Sequence, residues 1–114
     1  MNKRVAIYAR VAVYAAEDQL LSQLETCRKY AQERGSVVVA EITDNGVSGA
    51  TLDRLGLDYI RDLARAGEID VVVVHEKSRL SRKPADRPII EQKLGQVGVS
   101  AHYVLGYQDQ CRKG

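Results

Sequence analysis

Ile69-Asp70-Val71-Val72-Val73-Val74 is the segment that most limits how this chain can fold. It reads as an almost unbroken apolar strand, without the polar alternation of a strand that has one wet face. Continuity of this kind implies burial on both faces, as in a parallel sheet covered by helices on either side.

The rest of the chain supplies the partners for such a sheet. Val5 to Val11 reads as a first strand. Leu20, Leu24, Cys27 and Ala31 recur at near-helical spacing between Glu17 and Arg34, and Gly35 is placed to stop that helix. Val37 to Ala40 with Ile42 forms a second strand. Asp44 to Gly56 is rich in glycine and small polar residues and reads as a loop. Leu57, Ile60, Leu63 and Ala64 line one face of a helix ending at Gly67. A further helix from Ala85 to Gln96 leads into a last strand, Val99 to Leu105. The order β-α-β-α-β-α-β predicts a doubly wound α/β domain, with a mainly parallel sheet of four or five strands flanked by helices.

At 114 residues the chain suits one compact domain with a single core. Phe and Trp are absent, so aliphatic side chains must fill that core. A net charge of +2 is too small to argue for nucleic acid by itself. Cys27 and Cys111 are far apart and form no CxxC pair, so neither a disulfide framework nor a metal site is expected. His75 and His102 are isolated. No apolar run approaches the roughly 20 residues of a membrane span, and no signal-peptide pattern opens the chain, so a reduced, cytoplasmic protein is expected.

In open parallel sheets, ligands bind beyond the carboxyl ends of the strands. Three polar segments follow strands here: Arg10 to Ala16, Asp44 to Arg54, and His75 to Arg82. They should meet on one rim. Tyr8 and Arg10 share a strand face by period-two alternation, and Ala12 would continue it. Lys77, Arg79, Arg82, Lys83 and Arg87 form a basic cluster opposed only by Glu76 and Asp86. The i, i+3 spacing of Arg79 and Arg82 would place both on one side of a helical turn, aimed at a common anion. Each feature has a plainer reading: a strand-end arginine in water, a solvated charged face, and a turn whose Gly and Asn serve positive φ.

Taken jointly, Tyr8-Ala9-Arg10-Val11-Ala12, Asp44-Asn45-Gly46-Val47-Ser48-Gly49 with Asp53-Arg54-Leu55-Gly56-Leu57, and Ser78-Arg79-Leu80-Ser81-Arg82 resemble the catalytic domain of serine recombinases, the resolvase/invertase and large serine integrase family. The first motif of that family reads Tyr-x-Arg-x-Ser, and position 12, where its serine nucleophile stands, is alanine in this chain. The resemblance runs from about Arg4 to Gly106. It implies that Arg10, Arg79 and Arg82 bind a scissile DNA phosphate, for which a planar forked guanidinium is suited. It further implies that Tyr8, Ser48, Asp53, Arg54 and Ser78 support the site, with Arg54 another phosphate ligand. A family glutamine near the start of the first helix corresponds to Gln23, with Gln19 as the rival. Asp70 matches a family carboxylate near the site, or is an ordinary aspartate at a loop end. Leu55 stands where many members have proline. Tyr14, Ser22 and Ser81 carry hydroxyls, but none occupies the strand-end position beside Arg10.

The family implies catalysis with no metal or other cofactor: a serine attacks DNA phosphate, forming a 5′-phosphoserine linkage and freeing a 3′-hydroxyl. Its members act on DNA as dimers and tetramers and are encoded by bacteria, phages or mobile elements. With alanine at position 12 the chain is expected not to cleave DNA, since loss of a nucleophile can cost about 10⁶ in rate. A naturally degenerate, non-catalytic DNA-associated or regulatory module is the alternative. Residues 1–106 are expected to form the catalytic domain and 107–114 a flexible tail, ending before the family's long dimerisation helix and DNA-binding regions. Monomer or weak association follows as the expected state. A glycine-rich phosphate loop, which would favour a nucleotide-binding domain instead, is absent from the sequence.

Overall fold

A computed structural model describes residues 2–12, 17–46 and 55–105. Four strands form one sheet: β1 (Arg4–Val11), β2 (Val37–Asn45), β3 (Val71–Val74) and β4 (Ser100–Tyr103), in the order β2-β1-β3-β4. Every pairing is parallel. Between them run α1 (Glu17–Glu33), α2 (Leu55–Arg65), the four-residue α3 (Lys77–Leu80) and α4 (Asp86–Gly95). The expected doubly wound, mainly parallel sheet is therefore present, with four strands among the described residues.

Alternation along β1 and β3 builds two cores. Val5, Ile7, Ala9 and Val11, with Val71 and Val73, pack under Leu20, Leu24, Cys27, Tyr30 and Ala31 of α1. Ala6, Tyr8, Val72 and Val74 pack under Leu57, Ile60 and Ala64 of α2, Leu80 of α3, and Ile90 and Leu94 of α4. All four valines of β3 are buried, as their unbroken run requires. Helix α1 ends where expected: Gly35 has φ +66°, and the amides of Gly35 and Ser36 donate to the carbonyls of Gln32 and Ala31. A left-handed residue at this place is the usual glycine stop.

Several boundaries differ from the sequence reading. The last strand is shorter than Val99 to Leu105, since β4 ends at Tyr103 and Val104 and Leu105 are helical, and α2 begins at Leu55, inside the segment read as a loop to Gly56. Asp44 and Asn45 belong to β2, because β1 continues beside them and pairs Arg10 with Asp44 and Val11 with Asn45. Ile69 and Asp70 precede β3, although the Asp70 amide donates to the Arg4 carbonyl at 2.8 Å. Among the described residues no helix is long and apolar enough to cross a membrane.

Candidate active site

The strand order fixes where a site can form. From β1 the chain passes under α1 to β2 on one side, then crosses back to β3 on the other. The switch lies between β1 and β3, and the crevice at such a switch opens at the strands' carboxyl ends. Arg10 stands there, at the penultimate position of β1, and α3 follows β3 directly.

Arg10 is 1% exposed. Its Nε donates to the Arg79 carbonyl at 3.0 Å and its Nη2 to the Ser78 carbonyl at 2.7 Å. These are among the last carbonyls of α3, which a helix end leaves open and a cation satisfies well. The Arg79 side chain returns toward β1, with Nη1 at a long 3.5 Å from the Arg10 carbonyl. Its Nε lies 3.4 Å from Glu76 Oε1, within ion-pair range but not aligned as a hydrogen bond. The same Glu76 oxygen accepts the Ser78 hydroxyl at 3.0 Å. Arg10, Ser78 and Arg79 are thus brought together, with Glu76 as a member the sequence did not single out.

Gln23 holds the backbone of Arg10. Its Oε1 accepts the Arg10 N–H at 3.2 Å and its Nε2 donates to the Arg10 carbonyl at 3.1 Å. Beyond Val74, paired with Tyr8, β3 no longer runs beside β1, so a side-chain amide takes the place of a strand. Gln23 is buried at this strand end, whereas Gln19 is exposed. Ala12 lies exposed at a bend just past β1.

Tyr8 is fully buried and donates from its hydroxyl to Asp44 Oδ2 at 2.6 Å. Asp44 Oδ1 accepts the Gly56 amide at 2.9 Å. A Cβ on Gly56 would stand 2.7–2.8 Å from the Asp44 carboxylate, so any larger residue here must displace that carboxylate. Asp44 thus ties β2 to Tyr8 and to the start of α2, a role the sequence reading did not give it, because Asp-Asn-Gly read as a turn. The signal available was its period-two relation to Ile42, which places both on one face of β2.

Other expectations need correcting. Asp70 is not near the site: it lies at the opposite end of the sheet, where its carboxylate binds the Arg4 guanidinium at 3.1–3.2 Å and the Arg4 amide at 2.8 Å. In a parallel sheet a residue preceding β3 shares an end with the start of β1, not with Arg10. These contacts hold the Asp70 carboxyl below its ordinary range, the Arg4 side-chain bond foremost. Arg79 and Arg82 do not share a helical turn, since α3 ends at Leu80 and Ser81 is extended (φ −158°, ψ 139°). Arg82 is exposed. Ser81 is fully buried, its hydroxyl accepting the Lys83 amide and its carbonyl accepting Arg87 Nε. Ser48, Asp53, Arg54 and Tyr14 lie outside the described residues. Among the described residues, no three His, Cys, Asp or Glu side chains group as a metal site.

The fold is that of solved serine recombinase catalytic domains. Residues 5–110 match the family model "Resolvase, N terminal domain", and the chain belongs to that family. It is 34% identical over 108 residues to the Bacillus subtilis (strain 168) protein named "Putative DNA recombinase", covering 90% of this chain and 20% of that one. The chain thus spans about a fifth of the length of this curated relative. Among solved structures it resembles the N-terminal catalytic domain of TP901-1 integrase (TM-score 0.86, 27% identity, 91% of this chain and 79% of that one). It also resembles the C-terminal catalytic domain of ISC1926 TnpA, an IS607-like serine recombinase (TM-score 0.82, 32% identity, 89% and 69%).

Proposed function

We propose that this chain is the catalytic domain of a DNA recombinase whose reaction requires a serine at position 12, and that Ala12 leaves this form unable to cut DNA. In that reaction the serine oxygen attacks a backbone phosphorus, the 3′ oxygen leaves as a free hydroxyl, and a 5′-phosphoserine bond stores the linkage for religation. The observation that carries the reading is the joining of Arg10, two residues from position 12, to the segment bearing Ser78 and Arg79. Negative charge develops on the non-bridging oxygens as phosphorus is attacked, and preorganised guanidinium donors oppose it.

The seam between β1 and α3 sets a condition on this chemistry. With Arg10 buried and two of its donors on the carbonyls of Ser78 and Arg79, a phosphate reaches it only if α3 shifts. Gln23 and the Tyr8–Asp44–Gly56 chain serve to hold the strand ends while that happens. Ser48, Asp53, Arg54 and Arg82 complete the proposed site by resemblance, and DNA is the partner, in an assembly of several copies within the cell of a bacterium or its mobile elements.

The test is Ala12→Ser in the longest natural protein carrying this domain, incubated with sheared DNA of the source genome and examined for protein–DNA adducts that survive denaturation. An adduct at the introduced serine, absent from the parent with Ala12, supports the reading. A folded Ala12→Ser protein that forms none would favour the second reading, a non-catalytic DNA-associated module, which Ala12 itself suggests.

A further inference from the structure

A cleft of about 250 Å³ lies between the C-terminal halves of α2 and α4, lined by Arg61, Arg65 and Lys93 and by Ile90, Leu94 and Val97 among others. Ile90 and Leu94 are buried and form an apolar floor, whereas Val97 at the mouth is 43% exposed. Asp58 holds one nitrogen of Arg61 at 3.1 Å, but Arg61 Nε is buried without a hydrogen-bond partner. Both helices run from the carboxyl-end rim toward the other end of the sheet, so the cleft lies away from Arg10. Its occupant must bring hydrocarbon for the floor and negative charge for three cations. A nucleic-acid backbone supplies the second and not the first.

More than one described surface of this chain has that composition, Leu55 and Tyr59 beside Asp62 on α2 among them. Helix α2 itself lines the cleft, however, and the surface on a separate element is on α1. On α1, Leu21 is 51% exposed, with exposed Asp18 three residues before it and exposed Glu25 four residues after. Spacings of three and four put the three side chains on one helical stripe. We propose that the cleft receives this α1 stripe from a second copy of the chain, with Leu21 over Ile90, Leu94 and Val97 and the two carboxylates among Arg61, Arg65 and Lys93. Cleft and stripe are different surfaces, so the contact is heterologous and each copy keeps a free cleft or stripe for another neighbour. The area is small and the charges are exposed, so association is weak, with a dissociation constant on the order of 10⁻⁴ M, and weakens further with salt. None of this depends on DNA cleavage, and its failure would leave the proposed chemistry untouched.

Sedimentation equilibrium and amide NMR spectra of the whole chain, from about 50 μM to about 1 mM, supply the test. Signals from Asp18 to Glu25 and from Arg61 to Val97 should move together as concentration rises. The double reversals Asp18→Lys with Glu25→Lys, and Arg65→Glu with Lys93→Glu, should each weaken association at least tenfold, and combining all four should restore it. All four positions are exposed, so the fold should survive, as an unchanged thermal transition would verify. A chain that stays monomeric throughout, reversals whose effects simply add, or shifts confined to other surfaces would each overturn the proposal. So would binding of an acidic, leucine-bearing peptide by a chain that does not self-associate.

Discussion

Gln23 completes the sheet where β3 stops: its side-chain amide makes both hydrogen bonds that a neighbouring strand would otherwise make to the backbone of Arg10. Arg10 in turn presents its guanidinium to α3 on one side and its peptide group to α1 on the other. Through Arg10, two helices on opposite faces of the sheet are tied to the strand end nearest position 12.

Replacing Gln23 by leucine should therefore strip partners from a buried amide and a buried carbonyl. The expected loss is about 2 kcal/mol or more in urea unfolding. Gln19→Leu, at an exposed position of the same helix, should stay within about 0.5 kcal/mol of the parent. Equal effects at the two positions would contradict the bracing role.

Gly56→Ala places a methyl group against the Asp44 carboxylate, which is held by Tyr8 and by the Gly56 amide. Destabilisation of about 1–3 kcal/mol is expected. Tyr8→Phe should relax Asp44, so the double variant should lose less than the sum of the single losses, as a double-mutant cycle would read.

Asp70 is paired with Arg4 at the far end of the sheet. In an Ala12→Ser background, Asp70→Asn is expected to leave the rate of DNA adduct formation unchanged. A large drop in that rate, with folding intact, would return Asp70 to the site.

Burial pushes the Cys27 thiol up from 9.0 to about 12. The thiolate is the reactive form, so the folded chain should resist alkylation at about pH 8 and react readily once unfolded. The linkage has a definite sign. The unfolded thiol ionises first, so this contribution to stability is complete below pH 9.0 and is lost as pH rises toward about 12. Cys27→Ala should be less sensitive to pH over that window, though less stable throughout.

His102 shifts the other way, its pKa lowered from 6.5 by burial first and then by the charges of Arg34 and Lys3. It packs edge-on to Tyr30 at 6.5 Å between ring centroids. The folded chain binds this proton less readily than the unfolded one. Stability from this group is present above pH 6.5 and is lost as pH falls below it. Urea midpoints should drop on going from about pH 7.5 to about pH 5.5, and His102→Gln should remove that part of the decline.

How much of this was legible in advance follows from which forces are local. The four valines of β3, the helical spacing of Leu20, Leu24, Cys27 and Ala31, and the glycine after α1 depend on period and backbone preference, which are written in neighbouring residues. They determined a doubly wound parallel sheet, and with it the rim where Arg10 and the segment from His75 to Arg82 meet. What a side chain touches across the sheet depends on register and on where each strand ends. That decided that Asp44 serves Tyr8 and Gly56, that Asp70 belongs to Arg4, that Ser81 leaves the helix and separates Arg82 from Arg79, and that Arg10 is covered by carbonyls. The alanine at position 12 was plain from the residues alone; the burial of the arginine beside it came only from packing, because α3 closes over β1 where β3 has already ended.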